Sequence, residues 1–216
     1  AMARIFLIGA TGGVGHRLHP LLTAAGHQVT GLHREPDQAD ALRAAGVTPC
    51  AGDLMSLEAD DFAERLVDHD LVVFSAGAAG SGLPRTSRID GEAPLHVIEA
   101  MRKVGLARIL LVSAFPEAGR AKGLGDGFEH YMKVKKEADA ALTATELDWV
   151  ILRPGTLKDE PGDGRVAAGW ALPYGDVARD DVAAFLAALV DSSIRRAIIE
   201  LTDGETPIPT AIASLH

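Results

Sequence analysis

The hydrophobic positions of this chain fall into two alternating patterns. Short, nearly continuous apolar runs are separated by longer stretches in which apolar residues recur with the period of an α-helix. The short runs span residues 4–8, 28–32, 47–51, 71–75, 108–113, 149–152 and 197–201. The helical stretches span residues 15–25, 36–45, 59–67, 89–104, 129–142 and 180–190. Because such apolar strands suit burial on both faces, the alternation predicts an α/β fold with a doubly wound parallel sheet.

Stretches rich in glycine and proline interrupt this alternation at residues 76–87, 114–128 and 154–178. Each begins where a predicted strand ends, and ligands of open α/β sheets bind beyond the carboxyl ends of the strands. We therefore expect these stretches to form a small substrate-loop region. No linker or internal repeat divides the rest, so residues 3–216 are predicted to form a single domain.

The turn after the first strand reads Gly9-Ala10-Thr11-Gly12-Gly13-Val14-Gly15 and leads into a predicted helix. Gly9 permits a tight turn, Gly12 lets the backbone approach a phosphate, and Gly15 lets the helix pack close to the sheet. The N-terminus of that helix would face the anion, so the turn predicts a pyrophosphate site in a Rossmann-like fold. The spacing differs from the usual G-x-G-x-x-G, and such a turn also occurs without a ligand.

The end of the second strand indicates which dinucleotide would bind. Arg34 comes before Glu35, and a guanidinium can grip the 2′-phosphate of NADP, so we expect NADP rather than NAD. The alternative is that Arg34 is a surface charge paired with Glu35 or Asp37. Asp53 would accept a hydrogen bond from the adenine amino group. The residues that these positions predict to bind the dinucleotide are Gly9, Thr11, Gly12, Gly13, Val14, Gly15, Arg34, Asp53, Leu54, Ala76 and Gly77.

Tyr131 and Lys135 lie four residues apart on a predicted helix and hence on one face of it. Ser113 ends the fifth strand. A phenol whose pKa is lowered by an ammonium can exchange a proton with a substrate, while a hydroxyl holds the substrate oxygen. We therefore predict Ser113, Tyr131 and Lys135 as the catalytic residues. The alternative is a solvated, lysine-rich helix face.

Composition and charge limit the classes of partner and the compartment expected for this chain. The chain has 216 residues and a net charge of −9, which argues against nucleic acid or an anionic membrane surface. Its single cysteine, Cys50, excludes an intrachain disulfide, and the first residues enter a strand at once, so we expect a cytoplasmic protein. His16 and His19 have no third ligand at a matching spacing, so no metal is expected. The expected partner is a small-molecule substrate, and the chain is either a monomer or a homodimer.

The chain resembles the short-chain dehydrogenase/reductase superfamily, in its atypical single-domain branch of NmrA-like and YhfK/YwnB-like proteins. That branch also contains epimerase/dehydratase-like proteins and flavin or biliverdin-IXβ reductases. The resemblance covers nearly the whole chain. It rests on the glycine turn, Arg34, residues 52–54, residues 111–113, Tyr131 to Lys135, residues 138–139, residues 147–155, residues 159–164 and residues 179–183.

The resemblance implies a Rossmann-like NAD(P)-binding fold in which Tyr131 is the general acid/base and Lys135 holds the nicotinamide ribose. It also places Pro154 near the nicotinamide. The classical members of the superfamily use an asparagine in a catalytic tetrad, whereas this chain contains none. We expect an NADP-dependent oxidoreductase that transfers hydride to or from a small carbonyl, alcohol or sugar-like substrate. The alternatives are a flavin or biliverdin-type NADPH reductase and a non-catalytic NADP-sensing protein.

Overall fold

A computed structural model describes residues 1–115, 119 and 122–216. Its main sheet has nine strands in the order β11-β8-β10-β6-β5-β4-β1-β2-β3. The strands of this sheet are β1 (Arg4–Ile8), β2 (Gln28–His33), β3 (Thr48–Ala51), β4 (Leu71–Phe74), β5 (Arg108–Val112), β6 (Asp148–Pro154), β8 (Arg165–Gly169), β10 (Ala197–Asp203) and β11 (Thr206–Pro207). From β3 to β10 in this order, each strand runs parallel to the next. β8 pairs antiparallel with both β10 and β11. The predicted doubly wound sheet is confirmed.

Helices cover both faces of the sheet. They are α1 (Gly15–Ala24), α2 (Pro36–Ala44), α3 (Ala59–Leu66), α4 (Leu83–Arg85), α5 (Ala93–Val104), α6 (Asp126–Thr143), α7 (Arg179–Val190) and α8 (Ile208–Ala213). Alternate residues of β1 serve the two layers: Ile5 and Leu7 pack with α1, α2, α7 and α8, while Phe6 and Ile8 pack with α3, α5 and α6. The period-2 alternation of strand side chains therefore builds two cores, one on each face.

The helix predicted for residues 89–104 begins earlier, at α4, and passes through a π-helical segment, Thr86–Glu92, before α5. Pro94 has no N–H to donate to residue 90, so a regular α-helical ladder cannot run through this turn. The wider turn carries the buried Asp90.

Residues 154–178 were expected to be irregular, and this expectation is wrong for much of the stretch. It contains β8 and a second, two-stranded parallel sheet of β7 (Thr156–Lys158) and β9 (Asp176–Ala178). A Cβ at Gly155 would lie 1.8 Å from the Gly175 oxygen, so only glycine allows this approach. The turn between β7 and β8 is tied to α7, since the Gly162 and Gly164 amides donate to Asp180 and Asp181 at 3.0 and 2.9 Å.

The other two predicted loops are partly confirmed. Residues 76–87 contain α4 and the start of the π-helical segment, and the stretch 114–128 ends in the first turn of α6. Residues 116–118 and 120–121 of that stretch lie outside the described residues. Within the described part of the chain, no helix has both the length and the apolar character that crossing a membrane requires.

Candidate functional site

A cleft with a volume of about 910 Å³ lies at the carboxyl ends of the central strands. This is where an open α/β sheet places its ligands, and the volume is in the range of small-molecule and cofactor sites. Most of the predicted site residues line it together. They are Gly9, Thr11, Gly12, Gly13, Val14, Arg34, Asp53, Leu54, Ala76, Gly77, Ser113, Tyr131, Lys135 and Pro154.

The glycine turn is shaped as expected. Gly9 has φ of +92°, and a Cβ there would lie 2.7 Å from the Ala76 amide nitrogen. Gly15 is buried beneath the turn, where a Cβ would lie 1.8 Å from the Gly9 oxygen, so its role is close packing of α1 rather than lining the cleft. At Gly12 the nearest atom to a built Cβ is the Gly9 oxygen at 3.4 Å. The turn therefore offers a surface free of side chains at the start of a helix, which fits a pyrophosphate.

Two arginines flank this turn. Arg17 donates to the Gly13 carbonyl at 2.6 Å, and Arg179 lines the cleft so close to Gly13 that a Cβ there would lie 2.9 Å from its Nε. Both guanidinium groups also pair with Asp159, at 3.5 and 2.8 Å. Arg17 also pairs with Asp180 at 2.9 Å, so the charges of the two arginines are balanced by nearby carboxylates. The interpretation of the sequence missed Arg179 because α7 reaches the turn only through the tertiary fold.

Arg34 lies at the end of β2, half exposed, and lines the cleft. Its Nε donates to Glu35 at 3.1 Å, so the surface ion pair that was the alternative interpretation is present. Such an exposed pair is weak, and its guanidinium remains at the cleft. Asp53 accepts a hydrogen bond from the Met55 amide at 2.9 Å, which fixes its carboxylate beside the same end of the cleft.

Tyr131 and Lys135 share one face of α6, and both line the cleft. Lys135 is buried, with a 4% exposed side chain, and donates to the Val112 carbonyl at 3.1 Å. Burial lowers the pKa of Lys135, while the carboxylates of Asp90 and Asp139 raise it.

The expected lowering of the Tyr131 pKa is wrong for this arrangement. Burial, with the charges of Asp90 and Asp139, raises the pKa of Tyr131 to about 12. The partial burial of the phenol and the negative charges of the two carboxylates both disfavour the phenolate. Tyr131 is therefore protonated at neutral pH.

Asp90 is a site residue that the sequence did not reveal. It is 1% exposed, lines the cleft, and accepts from the Ala78 amide at 3.0 Å through Oδ2. Its Oδ1 lies 3.9 Å from Lys135 Nζ. Burial raises the pKa of Asp90, whereas Lys135 and the Ala78 amide lower it. A Cβ at Gly77 would lie 3.1 Å from Oδ1, so this glycine leaves room for the carboxylate.

Ser113 lies in the cleft, but its hydroxyl is engaged by another group. Ser113 Oγ donates to Asp139 Oδ2 at 2.7 Å, and no hydrogen bond joins Ser113 to Tyr131, both of which the structure describes. Arg153 donates to the same Asp139 oxygen from Nε and Nη2, each at 3.2 Å. Asp139 follows Lys135 by four residues, a spacing that sequence reasoning could have used to place it on the Tyr131 face.

Comparison with known proteins agrees with this geometry. Residues 9–193 match the family described as NAD(P)H-binding. A relative from Bacillus subtilis (strain 168), "Uncharacterized sugar epimerase YhfK", is 34% identical over 215 residues, or 98% of this chain and 100% of the relative.

Two solved structures share the fold over almost their whole length. A "Putative NAD-dependent epimerase/dehydratase" from Bacillus halodurans has a TM-score of 0.90 and 29% identity, covering 99% of this chain and 100% of that one. ChuY, an anaerobilin reductase from Escherichia coli O157:H7, has a TM-score of 0.77 and 27% identity, covering 93% and 97%. The glycine turn, the cleft and these likenesses together establish that the chain belongs to the NAD(P)H-binding family and carries its Rossmann-like fold as a single domain.

Proposed function

We propose that the protein is an NADP-dependent oxidoreductase that transfers hydride between the cofactor and a small carbonyl, alcohol or sugar-like substrate. The observation that carries the proposal is the grouping of Tyr131, Lys135 and Ser113 in the cleft that begins at the glycine turn. Relatives named as an epimerase and a reductase support a redox role for this family.

The cofactor contacts follow from the cleft lining. The turn from Gly9 to Val14 would hold the pyrophosphate, with Gly15 packing beneath it, and Arg34 would hold the 2′-phosphate. Asp53, Leu54, Ala76 and Gly77 would hold the adenosine half, while Lys135 and Pro154 would hold the nicotinamide half. When bound, the dinucleotide supplies or accepts the hydride.

The protein's own part in the reaction is to manage a proton. Tyr131 Oη keeps its proton at neutral pH because of burial and the two nearby carboxylates. A protonated phenol placed beside a carbonyl oxygen is a general acid, so the arrangement favours reduction of a carbonyl. Lys135 positions the cofactor ribose and balances the charges of Asp90 and Asp139.

The substrate would enter beside the predicted loops 76–87, 114–128 and 154–178. Leu83, Phe128 and Leu157, one from each of these stretches, line the cleft with apolar surface. Such a lining favours a substrate with one apolar face.

The first test concerns the proton donor. Replacing Tyr131 with phenylalanine removes only the hydroxyl, and we expect kcat for NADPH-dependent carbonyl reduction to fall by about 10²- to 10⁴-fold. Lys135→Met should also lower the rate. The matched control is Lys133→Met, since Lys133 lies on the same helix but is 71% exposed and pairs with Glu137. Full turnover by both Tyr131→Phe and Lys135→Met, with native circular dichroism, would contradict the mechanism.

The second test concerns the choice of cofactor. Arg34→Ala should weaken NADPH binding by about ten- to a hundredfold, because a charge-assisted hydrogen bond to phosphate is lost, and should leave NADH binding unchanged. Arg43→Ala is the control: Arg43 is also an exposed arginine paired with a nearby acid, Asp40. Nicotinamide fluorescence titrations measure both constants. Equal losses for NADPH and NADH would refute the assignment of Arg34 to the 2′-phosphate.

A second candidate is a reductase of flavins or linear tetrapyrroles, favoured by the likeness to ChuY over 93% of this chain. A large planar acceptor could take hydride directly, without a tyrosine acid. NADPH oxidation with FMN, FAD or biliverdin that is insensitive to Tyr131→Phe would favour this candidate over the first.

A further inference from the structure

The direction of one buried hydrogen bond restricts the substrate. Ser113 follows β5 and is 5% exposed, and its amide donates to the Leu152 carbonyl at 2.7 Å, which fixes the backbone. Ser113 lines the cleft, and its Oγ lies 2.7 Å from Asp139 Oδ2. A hydroxyl has a single proton to give, so the question is which of the two atoms donates.

The other contacts of Asp139 show which atom donates. Oδ2 already accepts from Nε and Nη2 of Arg153, each at 3.2 Å, and a guanidinium does not lose its protons. The remaining oxygen, Oδ1, is buried and has no hydrogen-bond partner among the described residues. Burial raises the pKa of Asp139, while Ser113, Lys135 and Arg153 lower it. If the carboxyl were neutral, its proton would sit on Oδ1, because Oδ2 faces the donors of Arg153.

Ser113 therefore donates to Asp139 whether that carboxyl is charged or neutral. Toward the cleft it can offer only lone pairs. A bare ketone, quinone or ester oxygen cannot bond to it, since both atoms would be acceptors. The predicted role of Ser113, holding the substrate oxygen, is thereby limited to an oxygen that carries a hydrogen.

We propose that Ser113 accepts a hydrogen bond from a substrate hydroxyl, and that the substrates are hydroxycarbonyl compounds. This rests on the proposed function. Tyr131 gives a proton to the carbonyl oxygen, and Ser113 accepts from a hydroxyl on the same substrate. Asp139 is a positioning residue: it accepts the only hydroxyl proton of Ser113, so that Ser113 acts as an acceptor toward the substrate. Arg153 holds Asp139 in place.

The test compares hydroxyacetone with butanone, which replaces the hydroxyl by a methyl group of similar size. Dissociation constants are measured by ligand-observed NMR on the purified protein, without turnover. Wild type should bind hydroxyacetone about three- to tenfold more tightly, as expected for one hydrogen bond. Ser113→Ala should bind the two ketones equally, whereas Ser113→Thr should restore the preference.

Two further variants distinguish the direction of the Ser113 hydrogen bond from a nonspecific effect of substitution on the fold. In Asp139→Asn the donors of Arg153 should draw the amide oxygen toward Ser113, so the preference should persist. Ser214→Ala, in which the lost hydroxyl had donated to Ala211 at 2.8 Å, should leave the ratio unchanged. Equal binding of both ketones by wild type, a preference kept in Ser113→Ala, or no binding of either ketone would overturn the proposal.

Turnover with NADPH, measured separately, distinguishes the two proposals. If hydroxyacetone binds preferentially through Ser113 but is not reduced, the proposed hydride transfer fails for this class of substrate while the inference about Ser113 stands. If both ketones are reduced with equal kcat/KM, the oxidoreductase proposal stands and the inference about Ser113 falls.

Discussion

Tyr131 and Asp90 show how burial and charge act together on one residue. The Tyr131 phenol is partly buried, and the charges that shift its pKa are those of two carboxylates, Asp90 and Asp139, and not that of the lysine its sequence spacing suggests. A spacing of four residues identifies a shared helix face but not which other elements pack on that face. Asp90 reaches the site from a different helix, so its influence could not be predicted locally.

This environment predicts an unusual tyrosine titration. Tyrosinate absorbance should show an ionisation with a midpoint at about 12, which disappears in Tyr131→Phe and remains in Tyr174→Phe. Asp90→Asn should lower that midpoint, since one of the two neighbouring charges is removed while burial remains. An unchanged midpoint in Asp90→Asn would contradict the electrostatic part of the argument.

The same shift sets a direction for stability at high pH. The native state holds the Tyr131 proton up to about 12, whereas an unfolded tyrosine loses it near pH 10. The native state therefore binds more protons in this window, and the free energy of unfolding falls as the pH rises through it. Tyr131→Phe should lack this part of the decline.

At the scale of elements, the junction between β1 and α1 depends on glycine where the backbone leaves no room. Gly15→Ala should lower the stability by about 2 kcal/mol or more, because its Cβ would lie 1.8 Å from the Gly9 oxygen and the helix must shift. Chemical denaturation measures the change.

Gly127 provides the matched comparison. It also lies in the first turn of a helix, α6, but a Cβ there would have no atom within 4 Å. Gly127→Ala should leave the stability unchanged or raise it by up to about 1 kcal/mol. Equal stability of Gly15→Ala and wild type would show that α1 does not need its close approach to the turn.

Elements with strong periodicity could be predicted, and short ones could not. The boundaries of α1 and β1 agree with the apolar pattern within a residue. In contrast, β7 and β9 have three residues each, too few for alternation to stand out, and pairing with each other creates them. The π-helical segment was missed because periodicity does not report which hydrogen bond a turn makes.

At the scale of the molecule, alternation of strand and helix was enough to predict the parallel sheet, since parallel strands need a crossover. The edge formed by β8 and β11 could not be predicted. β8 runs antiparallel to both of its neighbours, β10 and β11, and the position of this edge depends on contacts far apart in the chain. The sequence identified the cleft residues that follow central strands and the pair Tyr131 and Lys135, which share one helix face, but it missed Asp90 and Arg179, which no motif marks.

The small β7–β9 sheet has a consequence for binding that a mobile loop would not have. Hydrogen bonds from Gly162 and Gly164 to α7, and the close contact of Gly155 with Gly175, stabilise this sheet, from which Leu157 lines the cleft. Its conformational entropy is therefore lost when the chain folds and not when a ligand arrives. A ligand that fits this preorganised surface therefore binds without the loss of affinity that ordering a loop would cause. A ligand that does not fit could bind only by distorting the small sheet.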